Sequence, residues 1–346
     1  MLRRALRVVP IVLLLVTSAG CVAADRNVES TPRIEVVAAK SSTQCEGLKR
    51  RDVRGAKPTY SQKRLARFPN RSLVCHGIWL PDPRRYLVPQ GIAISGNTAW
   101  LSGFRHRKGF GKRPCQLVRV DLVTGRRLQF HSAIFGRVGD RPRTYCRHGG
   151  GILQRGKWLW IVEKNKLWIV NPARPGSVLN ARRAWRIHAP VRGSAIVATK
   201  TRIGLVPFQI GGVARIYWYD IKSLIRPGVL DLAVRRSGRS QIGAVASTRI
   251  PRFTQGATLD SHGRLYLTRS NLSCGELVTP FGRRKAFIPG AEGIQFAARD
   301  QRLWAVSESG SWPYSLLGKP LTPAVTSFEW PRLLAGEARS CDFPAY

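Results

Sequence analysis

His148 stands immediately before Gly149-Gly150-Gly151, and Glu292 stands immediately before Gly293. An imidazole titrates near neutral pH, and beside a glycine run it can reach into a cleft as a general acid or base. His148 and Glu292 are therefore the acid–base candidates of the chain. Glu292 and Glu308 stand at the two ends of one hairpin, a placement that would let two carboxyls flank one glycosidic bond. Other chemistry finds little support. None of the cysteines forms a CxxC pair, which argues against zinc and thioredoxin-like sites. Acids are too few for a calcium or magnesium cage, with Glu163 and Glu308 the neighbours of Glu292 in kind. No metal and no cofactor is expected.

The phrase His148-Gly149-Gly150-Gly151 resembles the oxyanion-hole run of esterases, a mechanism that requires a G-x-S-x-G elbow between strand and helix. No such elbow occurs, and Ser307-Glu308-Ser309-Gly310 lacks the first glycine. No G-x-x-x-x-G-K-[ST] run is present, so nucleotide hydrolysis has no support.

These residues sit in a repeat. Five segments share one plan: a polar residue or glycine, a small residue, an apolar strand, a tight turn, and a second apolar strand rich in tryptophan or tyrosine. They begin at Gln90-Gly91-Ile92, Gly150-Gly151-Ile152, Gly193-Ser194-Ala195, Gln255-Gly256-Ala257 and Glu292-Gly293-Ile294. Ser95-Gly96-Asn97, Arg155-Gly156-Lys157, Lys200-Thr201, His262-Gly263 and Arg299-Asp300 are hairpin turns between the strands. The second strands, over 99–102, 159–162, 203–207, 265–268 and 303–307, are near-continuous apolar runs, as strands buried on both faces must be. Third strands are expected over 117–121, 166–170, 215–219 and 276–279, the first running into the turn Asp121-Leu122-Val123-Thr124-Gly125. The mean spacing of roughly 50 residues suits propeller blades better than solenoid turns. Helical patterns are nearly absent, with 219–225 a short turn at most.

The expected fold is all-β, a β-propeller of five blades. A sixth blade is available if residues 70–88 pair with the carboxyl-terminal segment, and a disulfide involving Cys341 could lock that seam. In a propeller the residue before each inner strand faces the central channel. The channel ligands would then be Gln90, His148 or Gly150, Arg192 or Gly193, Gln255 and Glu292, a set suited to a small molecule or sugar. The same side chains could equally serve to satisfy backbone groups at the channel mouth.

Val88-Pro89-Gln90-Gly91-Ile92, His148-Gly149-Gly150-Gly151 with Leu159-Trp160, Thr254-Gln255-Gly256-Ala257 with Leu265-Tyr266, and Ala291-Glu292-Gly293 with Leu303-Trp304 resemble a group of secreted actinobacterial propeller-like proteins. The likeness runs over about residues 73–335 in repeat order. Its motifs are structural, so it implies the fold and no activity.

Residues 1–20 carry Arg3, Arg4 and Arg7, then an apolar run, then Ser18-Ala19-Gly20, the plan of a signal peptide. The run is far shorter than the roughly 20 residues that cross a bilayer. Small residues directly before Cys21 are similar to the lipobox of bacterial lipoproteins, although Ser18 replaces the usual large aliphatic residue. The resemblance implies cleavage before Cys21 and a lipid on its sulfur. Residues 21–43 read as anchor and flexible tether, and 44–346 as one propeller domain. Of seven cysteines, lipidation of Cys21 leaves Cys45, Cys75, Cys115, Cys146, Cys274 and Cys341 to pair in an oxidising compartment.

The net charge of +39 would draw polyanions such as anionic headgroups or phosphorylated wall polymers. Arginine is nonetheless spread through the whole chain, as GC-rich codons alone would produce. The densest basic stretches are 49–67, 105–113 and 137–147. Interleaved aromatics are limited to Phe104, Phe110 and Tyr145, which disfavours nucleic acid. The expected protein is exported, held to the cell membrane by its lipid and facing outward, and it binds an envelope component, anionic or a protein partner. The alternatives are a hydrolase or lyase working in the channel through His148 and Glu292, and a scaffold for an envelope protein complex.

Overall fold

The computed structural model describes residues 45–56, 64–79, 87–106, 114–311, 314 and 322–343. The leader, Cys21 and the tether lie outside the described residues, as does the larger part of the basic stretch 105–113. Each of the five repeats forms a blade of antiparallel strands. The first blade runs Leu87–Ser95, Thr98–Arg105, Cys115–Asp121 and Arg127–His131. The second begins Ile152–Arg155, Trp158–Glu163, Lys166–Val170 and Arg183–Ile187, and Asp231–Ala233 and Gln241–Gly243 extend it in parallel. The third is Ala195–Ala198, Arg202–Val206, Ala214–Asp220 and Ala246–Ile250, and the fourth is Thr254–Leu259, Leu265–Ser270, Gly275–Val278 and Arg284–Phe287. The fifth is Ala291–Ala297, Arg302–Ser307 and Val325–Glu329, completed at its outer edge by Val74–Ile78.

The five innermost strands touch one another in a closed ring, the last meeting the first. Their crowding explains the small residue of each repeat. A Cβ on Gly91 would stand 2.5 Å from the Gly150 carbonyl oxygen and 2.9 Å from the Ile152 nitrogen, and one on Gly293 would stand 2.7 Å from the Gly91 Cα. Only glycine lets the strands converge so closely at the axis. Hydroxyls and amides then satisfy inner-strand backbone from the neighbouring blade: Ser102 Oγ donates to Gly150 O at 3.2 Å, Thr268 Oγ1 to Glu292 O at 3.0 Å, and Gln295 Oε1 accepts from Ile94 N at 2.6 Å.

Apolar clusters fill the five blade-to-blade interfaces. Between the second and third blades Trp160 stacks on Trp185 at 5.9 Å, with Leu167, Leu205 and Tyr219 packed around them. Trp100 and Leu117 meet Leu159 and Trp168 between the first and second; Val206 and Trp218 meet Leu267 between the third and fourth. Phe287 meets Phe328 at 4.7 Å between the fourth and fifth, and Trp304 and Val306 meet Leu101 and Val118 across the seam. Each such large side chain contributes about 1.5–3 kcal/mol by leaving water. The uninterrupted apolar second strands follow directly, because each faces a neighbouring blade on both sides.

The sixth blade does not form. Pro69–Leu73 turns as a 3-10 helix and Trp330–Ala335 as an α-helix started by Pro331, so only Val74–Ile78 and Val325–Glu329 remain extended. These two strands pair within the fifth blade, with Ile78 opposite Val325, and close the ring there. The seam is clamped by Cys45–Cys75, which ties the incoming chain to the closing strand. Cys341 pairs instead with Cys274, in the turn of the fourth blade. The third bridge, Cys115–Cys146, joins the first blade to the segment that leads into the second. Two additions lie beyond the repeat plan: the parallel edge of the second blade, and a small sheet of Ala133–Arg137, Arg143–Tyr145 and Val178–Asn180. The basic stretch 137–147 is thus partly strand.

Candidate functional site at the channel mouth

The first, fourth and fifth inner strands each break register near their start, between Pro89 and Gly91, between Thr254 and Gly256, and between Ala291 and Ile294. A bulge lifts a residue out of the ladder and re-aims its side chain. The residues freed are Gln90, Gln255 and Glu292, three of the ring positions expected from sequence. Gln90 is 7% exposed and Glu292 is 4% exposed, so both are buried polar groups. His148 arrives from the coil before the second blade, and Glu308 follows the second strand of the fifth.

Gln90 joins this group. Its Nε2 donates to Glu308 Oε2 at 3.0 Å and to Pro89 O at 3.3 Å, which leaves Oε1 facing His148 Nε2 at 3.2 Å. An amide oxygen only accepts, so His148 must carry its proton on Nε2. The imidazole stacks on Phe104 with ring centres 4.4 Å apart, which fixes its plane. Gln255 occupies the equivalent bulge and, among the described residues, makes no hydrogen bond to the other three.

Burial pushes the Glu292 carboxyl well above the usual carboxylate range, and the neighbouring Glu308 charge pushes it further. Burial also raises Glu308, to about 7, while the hydrogen bond from Gln90 acts in the opposite direction. Burial thus favours the neutral form of both carboxyls, and Gln90 ties Glu308 to His148. The amide orients the imidazole, which is the group placed to act as acid or base toward a molecule in the cavity.

His148 also lines a cavity of about 760 Å³ over the second and third blades, where Arg147, Lys164 and Arg192 stand beside Phe208 and Ile210. Its volume is that of a small-molecule site. Glu163, at the same rim, spends its carboxylate internally: it accepts from Trp168 Nε1 at 3.0 Å, Lys166 Nζ at 3.1 Å and Arg147 N at 3.2 Å. Arg147, Lys164 and Arg192 line the cavity and make no ion pair among the described residues. A smaller cavity of about 270 Å³ lies where the inner strands of all five blades end, beside Ile94, Leu153, Val197, Leu259 and Gln295.

Of the expected ring of Gln90, His148 or Gly150, Arg192 or Gly193, Gln255 and Glu292, the structure bonds Gln90 to His148 and to Glu308, sets Glu292 beside Glu308, and places Arg192 on the cavity described above. That cavity, with Arg147, Lys164, Phe208 and Ile210, was missed as a unit. The available signal was Lys164-Asn165-Lys166 in a blade turn, together with apolar residues that continue past the end of a buried strand.

No protein-family model matches the chain, and no curated protein matches its sequence. Solved structures of similar fold include a calcium-binding protein, regucalcin, from Agrobacterium tumefaciens, at 13% identity with a TM-score of 0.40 over 71% of this chain and 91% of that one. The PQQ-bound aldose sugar dehydrogenase from Streptomyces coelicolor aligns at 15% identity with a TM-score of 0.35, covering 70% of this chain and 81% of that one. BamB from Moraxella catarrhalis aligns at 9% identity and a TM-score of 0.28, over 69% of this chain and 58% of its own. The likeness is one of fold: this chain is an all-β, five-bladed propeller.

Proposed function

We propose that this chain is an exported, lipid-anchored propeller that binds an anionic component of the cell envelope at its channel mouth. One observation carries the reading: Arg147, Lys164 and Arg192 gather on a cavity of about 760 Å³ without an ion pair among the described residues, while the one carboxylate in its lining, Glu163, is taken up by Lys166, Trp168 and the Arg147 backbone. Three unpaired cations on a concave, partly apolar surface create a positive potential that only an anion relieves. Three disulfides support an oxidising compartment, and they account for every cysteine of the seven except Cys21, the proposed lipid site. The test is a binding series with a phosphorylated wall polymer from 50 to 300 mM salt, run on the wild type and on Arg147→Gln/Lys164→Gln/Arg192→Gln. Affinity should fall steeply with salt for the wild type and start low and flat for the triple variant. Identical curves for the two proteins would remove the cavity from the account.

The second reading is a hydrolase or lyase in the channel, favoured by the Glu292–Glu308 pair and its bridge to His148. In that case His148→Ala and Glu308→Gln would each abolish turnover of a glycan or ester panel while leaving polymer binding intact.

A further inference from the structure

The cavity's lining joins two kinds of side chain. Arg147 comes from the coil before the second blade, Lys164 from a turn of that blade and Arg192 from the segment before the third; Phe208 and Ile210, just beyond the third blade's second strand, line it too. Phe208 is 39% exposed, Ile210 44%, and Val213 on the same loop 53%. Large apolar side chains in solvent are ordinary when scattered. Here they share one short loop at the rim of a charged cavity.

That loop is held in place. Phe253 N donates to Gln209 O at 2.9 Å, and Gln209 Nε2 donates to Gly211 O at 2.7 Å. Phe253 meets Phe208 edge-on at 6.2 Å and stacks on Phe343 at 4.9 Å. The Arg269 guanidinium lies 4.2 Å from the Phe343 ring centre on the side of the buried Arg269–Glu276 ion pair, and Cys274–Cys341 fastens this tail to the fourth blade. Phe253 itself is held at φ 60, the left-handed region that a bulky aromatic avoids. Strain of that kind costs about 1–3 kcal/mol and persists only where the surroundings enforce it, commonly at ligand sites. The loop that carries Phe208 and Ile210 is thus fastened to Phe253 through the Gln209 carbonyl and the Phe208 ring.

We propose that the ligand is a single anionic amphiphile, a phosphate-bearing lipid whose head meets Arg147, Lys164 and Arg192 and whose hydrocarbon lies along Phe208 and Ile210. This deepens the anion-binding reading and rests on it. Charge fixes the head: guanidinium and ammonium groups together favour a phosphate, which takes several charge-assisted hydrogen bonds at once. The apolar lining fixes the tail, because each methylene covered there leaves water. A bilayer surface offers the same chemistry, but the cavity is concave and of single-molecule size.

The probes are dodecyl phosphate below its micelle concentration, butyl phosphate, dodecyl maltoside and vesicles of phosphatidylglycerol, each titrated into the protein. Dodecyl phosphate should bind at least about tenfold more tightly than butyl phosphate, and dodecyl maltoside should not bind. Phe208→Ala/Ile210→Ser, both at exposed positions, should bring dodecyl phosphate down to the affinity of butyl phosphate and leave butyl phosphate unchanged. A melting curve matching the wild type certifies the fold of that variant. Equal affinity for the two phosphates overturns the amphiphile while anion binding stands; failure of both phosphates removes the anion-binding reading as well. Binding to vesicles without binding to monomeric dodecyl phosphate overturns the single-molecule ligand in favour of surface adsorption.

Discussion

Gln90 on the first blade donates through Nε2 to Glu308 on the fifth, 3.0 Å away, although 218 positions separate them in the chain. The bond crosses the seam where the ring closes. Through the same amide Glu308 is tied to the imidazole of His148, which lines the cavity. Closure of the fold and assembly of the site are one event in this arrangement.

Glu308 keeps its proton up to about pH 7 when folded, against an ordinary value of 4.5. Between those values the folded chain binds more protons than the unfolded one, so stability falls as pH rises through the window. Glu308→Gln should lessen that fall, giving a gain of up to about 3 kcal/mol at pH 8, reduced by the solvent that still reaches the side chain. Glu292 acts in the same direction, so some slope remains. Urea denaturation at pH 5 and pH 8 measures it, and unchanged slopes would contradict the assignment.

His76 works in the opposite sense at the closing strand. Burial first, and then the nearby Arg302 and Arg54 charges, lower its pKa to about 4. Arg302 Nη1 donates to its Nδ1 at 2.8 Å, a bond that the protonated ring cannot accept. The folded chain excludes a proton that the unfolded chain takes up, so stability is present above about pH 6.5 and is lost as pH falls toward 4. His76→Asn should flatten the acid limb by about 1–3 kcal/mol, read from melting temperatures between pH 4 and 7.

Removing the amide bridge should move the carboxyl it supports. In Gln90→Leu the hydrogen bond that restrains Glu308 is lost, so its carboxyl should titrate above 7. Carbon NMR of labelled glutamate reports this directly. The His148 ring signals should shift in the same variant, since the imidazole loses its Nε2 partner.

Two glycines with different duties should respond differently to alanine. Gly91→Ala places a Cβ 2.5 Å from the Gly150 oxygen, on rigid backbone, and should cost about 3 kcal/mol or more. Gly156 sits at φ 56 in a hairpin turn with open space around it, so Gly156→Ala carries backbone strain alone, about 1 kcal/mol. Equal destabilisation would refute the crowding at the axis.

Breaking the Cys274–Cys341 bridge by serine substitution releases a closed loop spanning 67 positions and should cost about 4 kcal/mol in the chain-entropy picture. Thermal melting with and without reductant checks this.

The repeat was legible because glycine before each inner strand and apolar continuity in each second strand are direct consequences of blades converging on an axis. The bulges at Gln90, Gln255 and Glu292 were not legible, because Gly151 and Gly193 open inner strands that carry no register shift. The seam was half legible: pairing of early and late strands was foreseen, but proline at 69 and 331 converts the remaining length to helix, so the fifth blade closes without a sixth. The parallel edge of the second blade and the small sheet around Ala133–Arg137 carry no repeat signature. The cavity was the hardest part to see, because Arg147, Lys164, Arg192 and Phe208 come from four loops whose approach depends on blade geometry and on no local pattern.

Anion binding by this propeller turns on what occupies the cavity over the second and third blades. A crystal structure of the protein purified from its own host's envelope should show a bound molecule with an anionic group within ion-pair distance of Arg147, Lys164 and Arg192. A molecule bound instead in the channel against Glu308 and His148, with that cavity holding only solvent, would contradict it.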